Sequence, residues 1–137
     1  MLKVAQTENE MGRLCGRLLA QAEIAQADAV SSVNRPGGTR ITARYYDFCV
    51  SHPSKAFPEI IEMIGRWTGK VDYGTGERIK QTLRELSVYG SWPERLSDQQ
   101  KCMFAQGYAT EVALLREERS ERIREAIKRK EEKEKSK

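Results

Sequence analysis

The chain is poor in the residues that build metal and catalytic centres. His52 is its one histidine, and Cys15, Cys49 and Cys102 stand far apart with no Cys-x-x-Cys pair. A zinc site takes about four ligands at suitable spacing, so neither a metal nor another cofactor is expected. The odd, dispersed cysteines read instead as three reduced thiols acting as small apolar residues within helices. Aromatics make up only 7% of the chain. No run approaches the roughly 20 apolar residues that span a bilayer. Met1 to Gln6 contain no apolar signal core. A cytoplasmic protein without a membrane partner is expected.

Catalytic patterns are missing too. The turns Gly37-Gly38 and Gly74-Thr75-Gly76 lack the Gly-Lys-Ser/Thr ending of a phosphate-binding loop. His52, before Pro53, has no nucleophile or acid at a definable spacing. The chain is therefore not expected to be an enzyme.

What is present is helical periodicity and a mild basic excess. The 137 residues carry a net charge of +4, with an isoelectric point near 9.0. Much of the excess sits near the C-terminus, where charges of both signs are mixed. The sharpest local signal is Ser97-Asp98-Gln99-Gln100, a capping-box pattern that starts a helix. Phe104, Gly107 and Tyr108 then fall on one side of it. A glycine beside two aromatics predicts a close helix–helix approach.

Thr7-Glu8-Asn9-Glu10 is a second capping-box pattern, predicting a first helix over about 8–30. Met11, Leu14, Cys15, Leu18, Ala22, Ala25 and Ala29 give it an apolar face. Gly12 and Gly16 lie one turn apart on it, as close packing inside a bundle would require. Residues 31–38 form a breaker-rich loop. Thr39 can cap a second helix over 40–50, with Ile41, Tyr45, Phe48 and Cys49 facing inward. Pro53 is expected to end that segment, and Pro58 to open a third helix running to about Trp67. That helix should bury Phe57, Ile60, Ile61, Ile64 and Trp67. A turn over 68–76 should precede a fourth helix over 77–88, built on Ile79, Leu83 and Leu86. Gly90-Ser91-Trp92-Pro93 breaks that helix. The fifth helix carries Phe104, Tyr108, Val112 and Leu115. The fold class is all-α: a compact bundle of about five helices over 1–115, with a charged helical tail over 116–137. Pairs such as Glu118 with Arg122 support that tail as a solvated helix fraying toward Lys137.

Three blocks stand in order. The first is Gly12-Arg13-Leu14-x-Gly16-Arg17-Leu18-Leu19-Ala20, continuing through Ala22-Glu23-x-Ala25-Gln26-x-Asp28-Ala29. The second is Ala43-Arg44-Tyr45-Tyr46 with Pro53 and Phe57-Pro58. The third is Leu96 to Tyr108. Together, over about 12–115, they resemble the C-terminal helical region of the large subunit of type I-C CRISPR Cascade. In those systems this region is also made as a free small subunit, and a chain opening at Met1 with only this region resembles that subunit. The tail after Leu115 is longer than the family pattern, and Val71–Arg78 matches none of it.

The resemblance implies a non-catalytic scaffold. Its partners would be the Cascade backbone and large subunits, guide RNA, target DNA including the displaced single strand, and further copies of itself. Such a subunit supports the guide–target hybrid and holds the displaced strand, which stabilises the R-loop. That task takes cations aimed at phosphates and little base reading.

Three basic sets are the candidates. Arg35 and Arg40 flank the Pro36-Gly37-Gly38 loop, and Arg44 lies a turn beyond Arg40. They could equally be solvated, or Arg44 could pair with Asp47 or Asp28. Arg78, Lys80 and Arg84 share the fourth helix. Lys80 and Arg84 are like charges at i,i+4, mildly unfavourable without an anion, although Glu77 and Glu85 could neutralise them. Lys55, Arg66 and Lys70 form the third set. Tyr45, Tyr46 and Trp92 could stack on bases or belong to the core. The reading from another class is a helical protein-interaction adaptor, or an inhibitor, that binds no nucleic acid.

Overall fold

The computed structural model describes residues 2–32, 41–66 and 73–136, with side chains placed for 8–27, 45–66 and 74–136. Among these residues there are five α-helices and no strand. They are α1 (Leu2–Ser32), α2 (Ile41–Ser51), α3 (Pro53–Arg66), α4 (Tyr73–Ser87) and α5 (Asp98–Lys135). The all-α bundle expected from the periodicity is the fold observed.

The core assembles from the helical stripes. Leu14, Cys15, Leu18, Leu19, Ala22 and Ala25 of α1 are buried with Cys49 of α2 and with Ala56, Phe57 and Ile60 of α3. Ile79 and Leu86 of α4, Leu96 before α5, and Phe104 of α5 complete the same cluster. Tyr46 packs edge-on to Phe104, with ring centroids 5.0 Å apart, and to Tyr108 at 5.7 Å. Trp92 stacks on Phe57 at 4.9 Å. Tyr46 and Trp92 are therefore packing groups. Tyr45 is half-buried and donates its hydroxyl to Glu59 at 3.2 Å.

Helices α1 and α5 run side by side in the same direction. Gly12 faces Gln100, and Gly16 faces Phe104 one turn later. A β-carbon on Gly12 would lie 2.8 Å from the Gln100 carbonyl oxygen. One on Gly16 would meet the Phe104 carbonyl, with Tyr108 N at 2.9 Å. From the other side, Gly107 abuts the Arg13 carbonyl in the same way. Each glycine gives up about 1 kcal/mol of helix propensity, and in return two backbones touch where a side chain would wedge them apart.

The α5 cap forms as its sequence dictates. Ser97 Oγ accepts from Gln100 N at 3.2 Å, and Ser97 N donates to Gln100 Oε1 at 2.9 Å. Gln100 Nε2 then donates to the Glu8 carbonyl at 3.1 Å, tying the cap to α1. Leu96 N donates to Val50 O at 3.3 Å, which anchors the connector on the end of α2.

Four local expectations are corrected. Helix α1 starts at Leu2, so the expected start at Thr7 falls inside the helix, and Glu10 pairs with Arg13. Helix α2 ends before Pro53 as expected, but Pro53 also opens α3, and Pro58, expected to open it, sits inside that helix. The carbonyl of His52 accepts from Lys55 N and Ala56 N, both at 3.0 Å, starting the helix one turn early. Pro58 withholds the N–H that Ser54 O would take. Ser54 and Pro58 both face solvent, so water can serve that carbonyl. Helix α4 begins at Tyr73, turning the expected Gly74-Thr75-Gly76 loop into its first turn. Thr75 is buried there, and its packing offsets the two glycines. Finally, Cys15 and Cys49 are buried but Cys102 is exposed. The turn over 68–72 and Trp67 lie outside the described residues. Gly90 ends α4 in the left-handed region, at φ 84°, where glycine is unstrained.

Helix α5 does not stop where the bundle does. It continues unbroken to Lys135, 38 residues in all, or about 57 Å.

Candidate nucleic-acid interface

The basic residues fall into distinct environments. Arg17 and Arg78 lie where α1, α4 and α5 meet. Arg17 Nε donates to Thr82 Oγ1 at 3.0 Å, and its Nη2 pairs with Glu85. Burial pushes the Arg17 guanidinium down from its ordinary value, and the Glu111 carboxylate opposes that shift. Arg78 pairs with Glu118 of α5 and lies 3.9 Å from Glu111. Glu111 is only 6% exposed and also accepts from Gln21 Nε2 at 3.3 Å. These groups line a polar cleft of about 260 Å³. A buried carboxylate needs a counter-charge and donors, and Arg78 and Gln21 provide them. Arg78 thus has carboxylate partners on α5 in both Glu118 and Glu111.

On the outer face of α4, Lys80 and Arg84 are exposed. Lys80 reaches Glu77 at 3.4 Å, and Arg84 meets only the amide oxygen of Gln81, at 3.2 Å. Glu85, the other neutraliser considered for them, has turned inward to Arg17. Arg84 makes no ion pair among the described residues, so the unfavourable Lys80–Arg84 pairing is only half relieved.

Lys55 is exposed in the first turn of α3, where there is no acidic residue. A cation at the positive end of a helix is mildly unfavourable alone and favours an approaching anion. Arg66 pairs with Glu62 at 2.9 Å, both well exposed, a contact worth little in water. Arg35, Arg40 and Lys70 lie outside the described residues. Arg44 is carried on α2, and its side chain is outside them too. The three basic sets are therefore not shown to share one surface.

No group of three His, Cys, Asp or Glu that could hold a metal ion occurs among the described residues. His52 is exposed, 3.0 Å from Ser51 Oγ. Burial pushes the Cys15 thiol up to about 12, and the Cys49 thiol is raised by burial and then by Cys15. Neither buried cysteine has thiolate character. No described helix is long and apolar enough to cross a membrane. What sequence reasoning missed was the assignment of Arg17 and Arg78 to internal carboxylates. Their partners lie 68 and 40 residues away in the chain, beyond any local spacing rule.

This geometry describes a closely crossed helical bundle that keeps some cations for itself and leaves others exposed. The model of a family of CRISPR-associated proteins, Cas_Csd1, matches residues 2–114. The chain belongs to that family, and with it to Cascade-type systems. A comparison with curated proteins returns no match.

Proposed function

We propose that the chain is a non-catalytic small subunit of a type I-C Cascade complex in the cytoplasm. It contacts the nucleic-acid backbone of the displaced strand and the guide–target hybrid, and so stabilises the R-loop. The family match over 2–114 carries this reading. The contact residues are Arg35, Arg40, Arg44, Lys55, Arg66, Lys70, Lys80 and Arg84. Arg78 joins them only by giving up Glu118. The partners are the Cascade backbone and large subunits, guide RNA, target DNA and further copies of the chain.

The exposed positions of Lys55 and Arg84, without carboxylate partners among the described residues, support phosphate contact. Each copy offers few such cations, so the isolated chain binds single strands weakly and without sequence preference. Several aligned copies multiply the effect. The test is co-expression with type I-C backbone and large subunits and guide RNA, purified through a tag on another subunit. The chain should co-elute with the ribonucleoprotein, and its absence from that complex sinks the reading. Co-elution with protein alone, and no salt-sensitive binding of single-stranded DNA, would favour the adaptor.

A further inference from the structure

The stretch beyond the family match is the part of the chain with its own story. Residues 116–137 hold ten Lys or Arg against seven Glu, which accounts for most of the net charge. The charges are also sorted around the helix. At 100° per residue, Arg119, Arg122, Arg129, Lys130 and Lys133 fall within an arc of roughly 100°. Glu118, Glu121, Glu125 and Glu132 fall within a neighbouring arc of roughly 60°. Glu118, Glu121 and Glu125 line the cleft against the first turn of α4, where Glu118 meets Arg78. The acidic side thus faces the bundle; Arg122, at the edge of the basic arc, reaches the same cleft, while Arg119, Arg129, Lys130 and Lys133 do not line it.

Arg129, Lys130 and Lys133 are exposed and make no ion pair among the described residues. The like-charge neighbours Arg129–Lys133 and Lys130–Lys133 cost the helix a little unless an anion relieves them. The basic row from Arg119 to Lys133 spans about 21 Å, long enough for several successive phosphates.

Other occupants fit less well. A second copy presenting the same face would set cation against cation. Ile123 and Ile127, 55% and 53% exposed, are too few for a coiled-coil seam, which needs apolar heptads sustained over three or four repeats. Two isoleucines and Ala126 are likewise too little apolar surface for a helix lying in a lipid interface.

We infer that the basic face of the α5 extension is a second nucleic-acid contact, an arm that tracks the phosphodiester backbone beyond the bundle. It rests on the nucleic-acid reading above and adds a site outside the family region. The test uses the full chain and a fluorescein-labelled single-stranded DNA, titrated by anisotropy at several salt concentrations. One variant combines Arg129→Gln, Lys130→Gln and Lys133→Gln. A matched variant combines Arg124→Gln, Lys128→Gln and Lys135→Gln, removing the same charge from the opposite side. Glutamine keeps helix propensity, and circular dichroism checks that helicity is unchanged. The first variant should bind about tenfold or more weakly, with a salt slope shallower by about two. The second should stay within about threefold of the parent.

Equal losses in both variants would show that net charge alone acts, and would overturn the arm. So would parent-like binding by the first variant, and that outcome leaves the bundle's own nucleic-acid role standing. If the parent chain binds no DNA at any salt, the broader reading fails along with the arm. Co-sedimentation with anionic phosphatidylserine vesicles in place of DNA binding would also overturn it.

Discussion

Gly16 of α1 lies directly against the backbone of Phe104 of α5. The space is so tight that a single added methyl group would strike the Phe104 carbonyl. Together with Gly12 against Gln100 and Gly107 against Arg13, this contact sets how closely the two longest helices approach.

Gly16→Ala and Gly107→Ala should each destabilise the fold by about 1–3 kcal/mol or more, because the obstacle is backbone and not a side-chain tip. Gly76→Ala is the counterpart. Nothing lies within 4 Å of a β-carbon there, so helix propensity should stabilise α4 by about 0.5–1 kcal/mol. Urea melts of the three variants check both signs. An unaffected Gly16→Ala protein would mean the helices do not cross this closely.

Gln100→Ala removes two side-chain hydrogen bonds at once, the one accepted from Ser97 N and the one donated to the Glu8 carbonyl. The Ser97–Gln100 backbone bond survives it. The expected cost is about 1–2 kcal/mol, seen as an earlier thermal midpoint.

Arg78 and Arg84 should part company although they share a helix. Arg78→Gln leaves the buried Glu111 short of its counter-charge and should lower stability by about 1–3 kcal/mol. Arg84→Gln should leave the melt unchanged and weaken single-strand binding, with a salt slope shallower by about 0.7. Thermal melts beside DNA titrations separate the two roles. Identical behaviour of the two variants would refute the division.

Replacing Arg35, Arg40 and Arg44 together with Ala should keep the helical content while weakening target-DNA engagement by the assembled complex and flattening its salt dependence. Guide RNA loading should hardly change. DNA titrations at two salt concentrations and a melt of the variant check this. A collapse of the melting temperature would make these residues structural.

Glu10 gives a pH signature. Its hydrogen bond from Arg13 holds the carboxyl below the ordinary glutamate value, with burial opposing. A depressed folded pKa stabilises above the unfolded pKa, and that gain fades as pH falls through the folded value. Glu10→Gln should therefore narrow the stability difference between neutral and acid pH, measured by urea melts from pH 7 to pH 3. A variant with the same acid dependence as the parent would remove Glu10 from the account.

The helices and most of the core faces were legible in the sequence, because apolar spacing and the Ser97–Gln100 cap are local facts. Three starts were not legible, those of α1, α3 and α4. The Thr7–Glu10 pattern is a cap only if the chain turns there, and Pro53 and Pro58 each suit a first helical turn. The glycine pattern announced a close approach but not its partner backbones. The site was legible only as a supply of cations. Their number and helical placement came from sequence, and so did the family. Which of them remain available was decided by folding. Arg17 and Arg78 meet carboxylates far along the chain because α1, α4 and α5 converge, and a buried Glu111 requires compensation there. Lys55 and Arg84 stay open because no such carboxylate is brought to them among the described residues. Local spacing fixes the periodicity of a helix, whereas the pairing of distant charges depends on which faces pack together.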